Sequence, residues 1–212
     1  MLDPLKNAWL KHREARANAE QNNDTRLPSR PRERIQKAAD HLFSKHGAPA
    51  VTVETIAVRA ESNKEYVLEC FGSVEHLYAD HLLRLVEIEK DLWQTLEDFH
   101  RRNPERQLRA WLGIVVPDEK RQFDPLLLSP AAMELGYQPN HPAHAVIKNN
   151  KTELRRRLRK FCYDALYRDP DGLAEKLIIL AEGALVQSMI FGSDGLKDRL
   201  MEAAEDLLAR HA

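Results

Sequence analysis

Apolar positions recur at helical spacing along nearly the whole chain. In RERIQKAADHLFSKHG, Ile35, Ala38, Ala39, Leu42 and Phe43 fall at i, i+3, i+4, i+7 and i+8, one face of an amphipathic helix that Gly47 ends. Thr52 stands where a cap belongs for a second short helix burying Val53, Ile56, Ala57 and Ala60. Ser62 or Asn63 caps a third, which buries Val67, Leu68 and Phe71; Ser62 with Glu65 also fits a capping box. Two short helices joined by a tight turn and propped on a longer one form the shape that places a helix in a DNA major groove. Past Gly72, Ser73 caps a long helix to about His100, with Leu77, Leu82, Leu85, Ile88, Leu92, Leu96 and Phe99 along it.

The rest of the chain is patterned the same way. Asn103 and Pro104 open a helix carrying Leu108, Trp111, Leu112 and Val115, which Pro117 ends. Residues 117–142 are proline-rich, with one helical candidate from Ser129 to Leu135. Pro142 opens a long helix with Ile147, Leu154, Leu158, Phe161 and Ala165 inside and Lys148, Arg155, Arg156, Arg157, Arg159 and Lys160 outside. Asp169 and Pro170 open a helix that is apolar over more than one face, so it requires two partners. Gly192, Ser193 and Gly195 break it, and a last helix carries Leu196, Leu200, Ala203, Ala204, Leu207 and Leu208 on one stripe. At the other end, DPLKNAWLKHREARANAEQ predicts a helix and NNDTRLPSRP a linker. This extension reads as solvated; its alternative is a basic arm following the DNA backbone. The expected fold is all-α, with an extension over 1–30, a helix-turn-helix module over 31–76 and a larger helical domain over 77–212.

Composition refines this picture. Over 212 residues the formal net charge is -1, so any basic footprint for nucleic acid is local. Cys70 and Cys162 form no metal pattern and read as buried thiols of a reducing cytosol. The chain has no run long enough to span a bilayer and no apolar signal core, so the expectation is a cytoplasmic protein without a membrane partner. No nucleophile paired with a base, phosphate loop or metal cluster points to an enzyme, and no cofactor or metal is expected. His141 and His144, at i, i+3 spacing, lack a cysteine or carboxylate to complete a site and read as surface histidines. Lys151, between Ile147 and Leu154, reads as an ammonium snorkelling to water, with pairing to an anionic effector as the alternative.

The segments IQKAADHLFSKHG and TVETIAVRA, with the run from Asn63 through Phe71 to Leu77, resemble the TetR family of transcriptional regulators. HPAHAVIK and DPDGLAEKLIILAEGALVQS also look like family members whose last two helices form a dimer. The resemblance implies a homodimeric repressor on double-stranded operator DNA, released when a small-molecule effector enters a pocket in each C-terminal domain. Read this way, the DNA side comprises Arg32, Arg34, Thr52, Asn63, Lys64, Glu65 and Tyr66, with helix N-termini meeting phosphates. The effector pocket draws on Trp93, Leu96, Trp111, Phe123, Met133, Tyr137, Phe161 and Met189. The dimer face draws on Leu177, Ala181, Ala184, Leu185, Ser188, Leu200, Ala204 and Leu207.

Three positions depart from the family pattern. Glu61 stands where the family has a turn glycine, Leu68 where it has a phosphate-contacting tyrosine, and Val74 where it has a phosphate-contacting lysine. Glu65 and Glu69 add negative charge to the third helix. These departures define the alternative function: a TetR-like dimer with weak or lost DNA binding that acts as a ligand-binding or protein-interaction module.

Overall fold

The computed structural model describes residues 30–116, 126 and 128–212, and every regular element among them is a helix. In chain order these are α1 (Pro31–His46), α2 (Val53–Arg59), α3 (Lys64–Phe71), α4 (Val74–Phe99), α5 (Pro104–Val115), α6 (Ser129–Leu135), α7 (Pro142–Asp164), α8 (Pro170–Phe191) and α9 (Leu196–His211). The helix expected near the start of the chain, its basic arm and Phe123 lie outside the described residues. No helix among the described residues is long and apolar enough to cross a membrane.

Two compact units share these helices. Among the described residues one holds 30–88 and 130–149, the other 89–116, 126, 128–129 and 150–212. In the first, α1 buries Ile35, Ala38, Ala39 and Phe43, α2 buries Ile56 and Ala57, and α3 buries Val67 and Phe71. Each such large side chain contributes roughly 1.5–3 kcal/mol when fully buried. The α1 carboxylate of Asp40 adds a polar clasp to α4, accepting from His81 Nδ1 at 2.8 Å and from Arg84 Nε at 2.9 Å. Burial pushes the Asp40 carboxyl pKa up, but the hydrogen bonds from His81 and Arg84 outweigh it, and the net shift is downward.

The start of α4 buries Leu77, Tyr78, Ala79, His81 and Leu82, and its later part buries Glu89, Leu92, Trp93 and Leu96. Ile88 and Phe99, expected on the inner stripe, are 39% and 46% exposed. The reason is the helical period: on the face set by buried Leu92, Trp93 and Leu96, position 89 falls at the centre and positions 88 and 99 at one edge. A carboxylate therefore occupies a core position.

The second unit packs one core from α5, α8, α9 and the parts of α4 and α7 that belong to it, with Trp93, Leu96, Leu108, Trp111, Leu158, Phe161, Leu177, Leu185 and Leu208 among its members. The basic run on α7 is laced to carboxylates: Arg156 to Glu153 at 2.7 Å, Arg159 to Asp171 at 2.8 Å, and Arg157 to both Glu97 and Glu153 at 2.8 Å. Both cysteines are free thiols; Cys162 is buried, which pushes its pKa up to about 12, and Cys70 is half-buried.

Candidate nucleic-acid interface

The α2–α3 pair is built by its caps. Thr52 Oγ1 accepts from the Thr55 amide at 3.3 Å while Thr55 Oγ1 accepts from the Thr52 amide at 3.0 Å, a reciprocal capping box on α2. Asn63, rather than Ser62, caps α3, its Oδ1 accepting from the Tyr66 amide at 2.8 Å. Between the helices Glu61 adopts φ +51°, the left-handed conformation that favours glycine. The turn thus demands what the family supplies with glycine, and this chain meets it with glutamate.

The exposed residues of α3 are Lys64, Glu65, Leu68 and Glu69. Leu68, expected inside, is 41% exposed, because Val67 and Phe71 alone face the core. Tyr66 is half-buried, and its hydroxyl pKa is raised, first by its hydrogen bond with the Cys70 thiol. Arg32 is engaged within the protein: its guanidinium lies 4.5 Å from the Phe71 ring centroid and donates to the Cys70 carbonyl at 3.3 Å. Arg34 donates through Nε to the Ala60 carbonyl at 3.2 Å. Both arginines fasten α1 to the ends of the neighbouring helices.

No protein-family model matches the chain, and no curated protein sequence matches it. Solved structures do. A TetR-family transcriptional regulator from Streptomyces coelicolor superposes with a TM-score of 0.66 at 17% identity, covering 91% of this chain and 95% of that one. A TetR transcription regulator from Haloarcula marismortui gives 0.65 at 16% identity, over 85% and 97%. The reduced form of NemR from E. coli gives 0.66 at 15% identity, over 86% and 100%. The fold is that of TetR-type transcriptional regulators.

Within this TetR-type fold the residues expected at an effector pocket fall into two groups. Trp93, Leu96, Trp111 and Phe161 share the core of the second unit. Met189 is 57% exposed on α8, and Met133 and Tyr137, at 49% and 87% exposed, belong to the first unit. Sequence patterning missed a polar centre beside the tryptophans. Buried Glu89 accepts from Trp93 Nε1 at 3.0 Å and from Asn150 Nδ2 at 2.6 Å. Its carboxyl pKa is raised, by burial before all else. Trp111 stacks on Trp93 with ring centroids 6.5 Å apart, and its buried Nε1 has no hydrogen-bond partner among the described residues. Lys151 Nζ reaches Glu182 Oε1 at 2.7 Å and also bonds Ser129 Oγ, a pairing within the protein rather than a free ammonium.

Of the residues expected at a dimer face, Leu177, Ala181, Ala184, Leu185, Leu200 and Ala204 are buried in the core of their own unit, while Ser188 and Leu207 are half-buried. The outward side of α8 instead presents Ile179, Gly183, Val186 and Ile190 at i, i+4, i+7 and i+11. Ile179 and Ile190 are 70% and 63% exposed, and Phe191 at the end of the helix is 77% exposed. The two-sided apolarity of α8 is thus divided, one side spent on the core and the other open.

Proposed function

We propose that the chain is a homodimeric DNA-binding transcriptional regulator of TetR type, a repressor released from its operator by a small molecule. The observation that carries this reading is the capped α2–α3 pair, whose second helix opens with exposed Lys64 and Glu65. In it α3 enters the major groove with Lys64, Glu65 and Tyr66 leading, and Glu65 accepts from a cytosine amino group. The caps at Thr52 and Asn63 keep their helix starts rigid against the backbone. The open apolar stripe of α8 supports a dimer through this helix, since exposed apolar rows of this kind mark interfaces. The unpaired Trp111 Nε1 supports an effector bearing a hydrogen-bond acceptor, because an orphaned buried donor costs roughly 1–3 kcal/mol until an acceptor reaches it.

The test is a mobility-shift titration with the DNA upstream of the protein's own gene across a salt series. The expected result is sequence-preferring binding that weakens linearly in log salt. Binding that lacks both features rejects the reading. A second reading, a dimer that has lost DNA binding, is favoured by a specific observation. Arg32 and Arg34 are held by Cys70 and Ala60, and Lys64 is the only basic residue on α3. A mobility shift absent at every salt, together with a persisting dimer, supports it.

A further inference from the structure

We propose that the N-terminal unit carries a ligand site of its own, built for an apolar organic cation. A cavity of about 500 Å³ opens between the end of α1, the loop into α2, the first turn of α4 and the end of α6, all within one compact unit. That volume suits a small molecule, for which pockets of roughly 300–1,000 Å³ are usual. Its wall is aromatic. Phe43 and Tyr78 pack with ring centroids 5.0 Å apart, and His141 sets its edge against Tyr78 at 6.4 Å. Tyr78 is only 5% exposed, so the wall is rigidly held.

The charge around this wall is mainly negative, with His141 the one basic side chain in the lining. Glu54, Glu75 and Glu134 line the cavity, and no lysine or arginine does. Glu134 accepts from the Tyr78 hydroxyl at 3.3 Å and pairs with no cation among the described residues. Its carboxylate comes close to Gly47, where a Cβ would lie 2.1 Å from Glu134 Oε1. Glu75 has its pKa lowered, first by a hydrogen bond from Ser73.

This combination selects among ligands. An anion meets three carboxylates against the single imidazole of His141. The described residues hold no group of three side chains close enough for a metal ion, so the carboxylates are too dispersed to chelate one. An organic ammonium with an apolar body satisfies both parts, its charge beside Glu134 and its methylene or aryl surface on Val53 and Val74, backed by the rims of Phe43 and Tyr78. The site differs from the polar centre around Glu89 and Trp111 in its unit, its walls and the ligand it takes.

The experiment is isothermal titration of the full-length protein, without DNA, using phenyltrimethylammonium as the probe. Its neutral isostere tert-butylbenzene and the anion benzoate are titrated in parallel. Glu54 and Glu134 are exposed at the rim, so Glu134→Gln and the double variant with Glu54→Gln leave the fold intact. Single-site binding of the ammonium is expected, about ten-fold weaker in Glu134→Gln and weaker again in the double variant. Neither the isostere nor benzoate should bind at the same concentrations. Absence of ammonium binding to the wild type, equal affinity in the double variant, or equally tight binding of tert-butylbenzene overturns the proposal. Because no DNA is present, the outcome is independent of whether the protein is a regulator.

Discussion

Replacing Asp40 by asparagine should loosen the helix-turn-helix from α4. Asp40 receives three hydrogen bonds, one from His81 Nδ1 at 2.8 Å and two from Arg84 at 2.9 Å and 2.5 Å. The side chains of His81, Arg84 and Asp40 are 6%, 34% and 33% exposed. Fully buried charge-assisted hydrogen bonds contribute about 1.5–3 kcal/mol each, whereas exposed ion pairs contribute about 0–1. With two of the three groups one-third exposed, the loss should be about 2 kcal/mol in all. For a chain of this size that lowers the melting temperature by roughly 4–8 °C. Asparagine keeps the shape but turns an amide toward Arg84, so repacking offers little relief.

The pH dependence carries its own check. The folded carboxyl of Asp40 is held below its unfolded value near 3.9, so its stabilisation is complete above that value and is lost as pH falls through the folded pKa. Melts followed by circular dichroism should give a wild-type-minus-variant difference that shrinks below about pH 4. A difference below about 0.5 kcal/mol at pH 7, or one that still grows below about pH 4, would refute the clasp.

Three further outcomes test the candidate surfaces. Lys64→Ala with Tyr66→Ala should weaken operator binding by about ten-fold or more in a mobility shift while sedimentation still reports a dimer; unchanged affinity means the DNA surface lies elsewhere. Gly183→Arg should yield a monomer, because a Cβ there meets nothing within 4 Å in its own chain; a persisting dimer rules out the α8 stripe. Glu61→Gly should raise stability by about 0.5–1 kcal/mol, since relief of a left-handed glutamate outweighs the entropy of a freer unfolded chain; a lower melting temperature contradicts strain in the turn.

The helices were legible because most are amphipathic, separated by glycine or proline, and capped by residues whose chemistry is local. Asn103, Pro104, Pro142, Asp169 and Pro170 all stand at helix starts, and even α6 over Ser129–Leu135 follows from its own composition. The turn at Glu61 was pointed out by the family resemblance, which implies a glycine there, and Glu61 adopts the left-handed conformation that glycine favours. The candidate sites were much less so. Spacing marks Arg32 and Arg34 as basic residues beside a helix-turn-helix, whereas their own partners, the Phe71 ring and the Ala60 carbonyl, come from the fold.

Interactions within a few residues set helix identity, ends and caps, and with them most of the apolar skeleton from Ile35 to Leu77, Leu68 excepted. Tertiary structure decided which of two apolar faces on α8 stays open, that Glu89 turns into the core where Ile88 was expected, and that Glu134 reaches a site walled by Phe43 and Tyr78. Side-chain spacing fixes which residues share a helical face, but not which face meets a neighbour. That choice depends on how distant helices pack, and the energies of burial and charge pairing that settle it exist only once those helices have met.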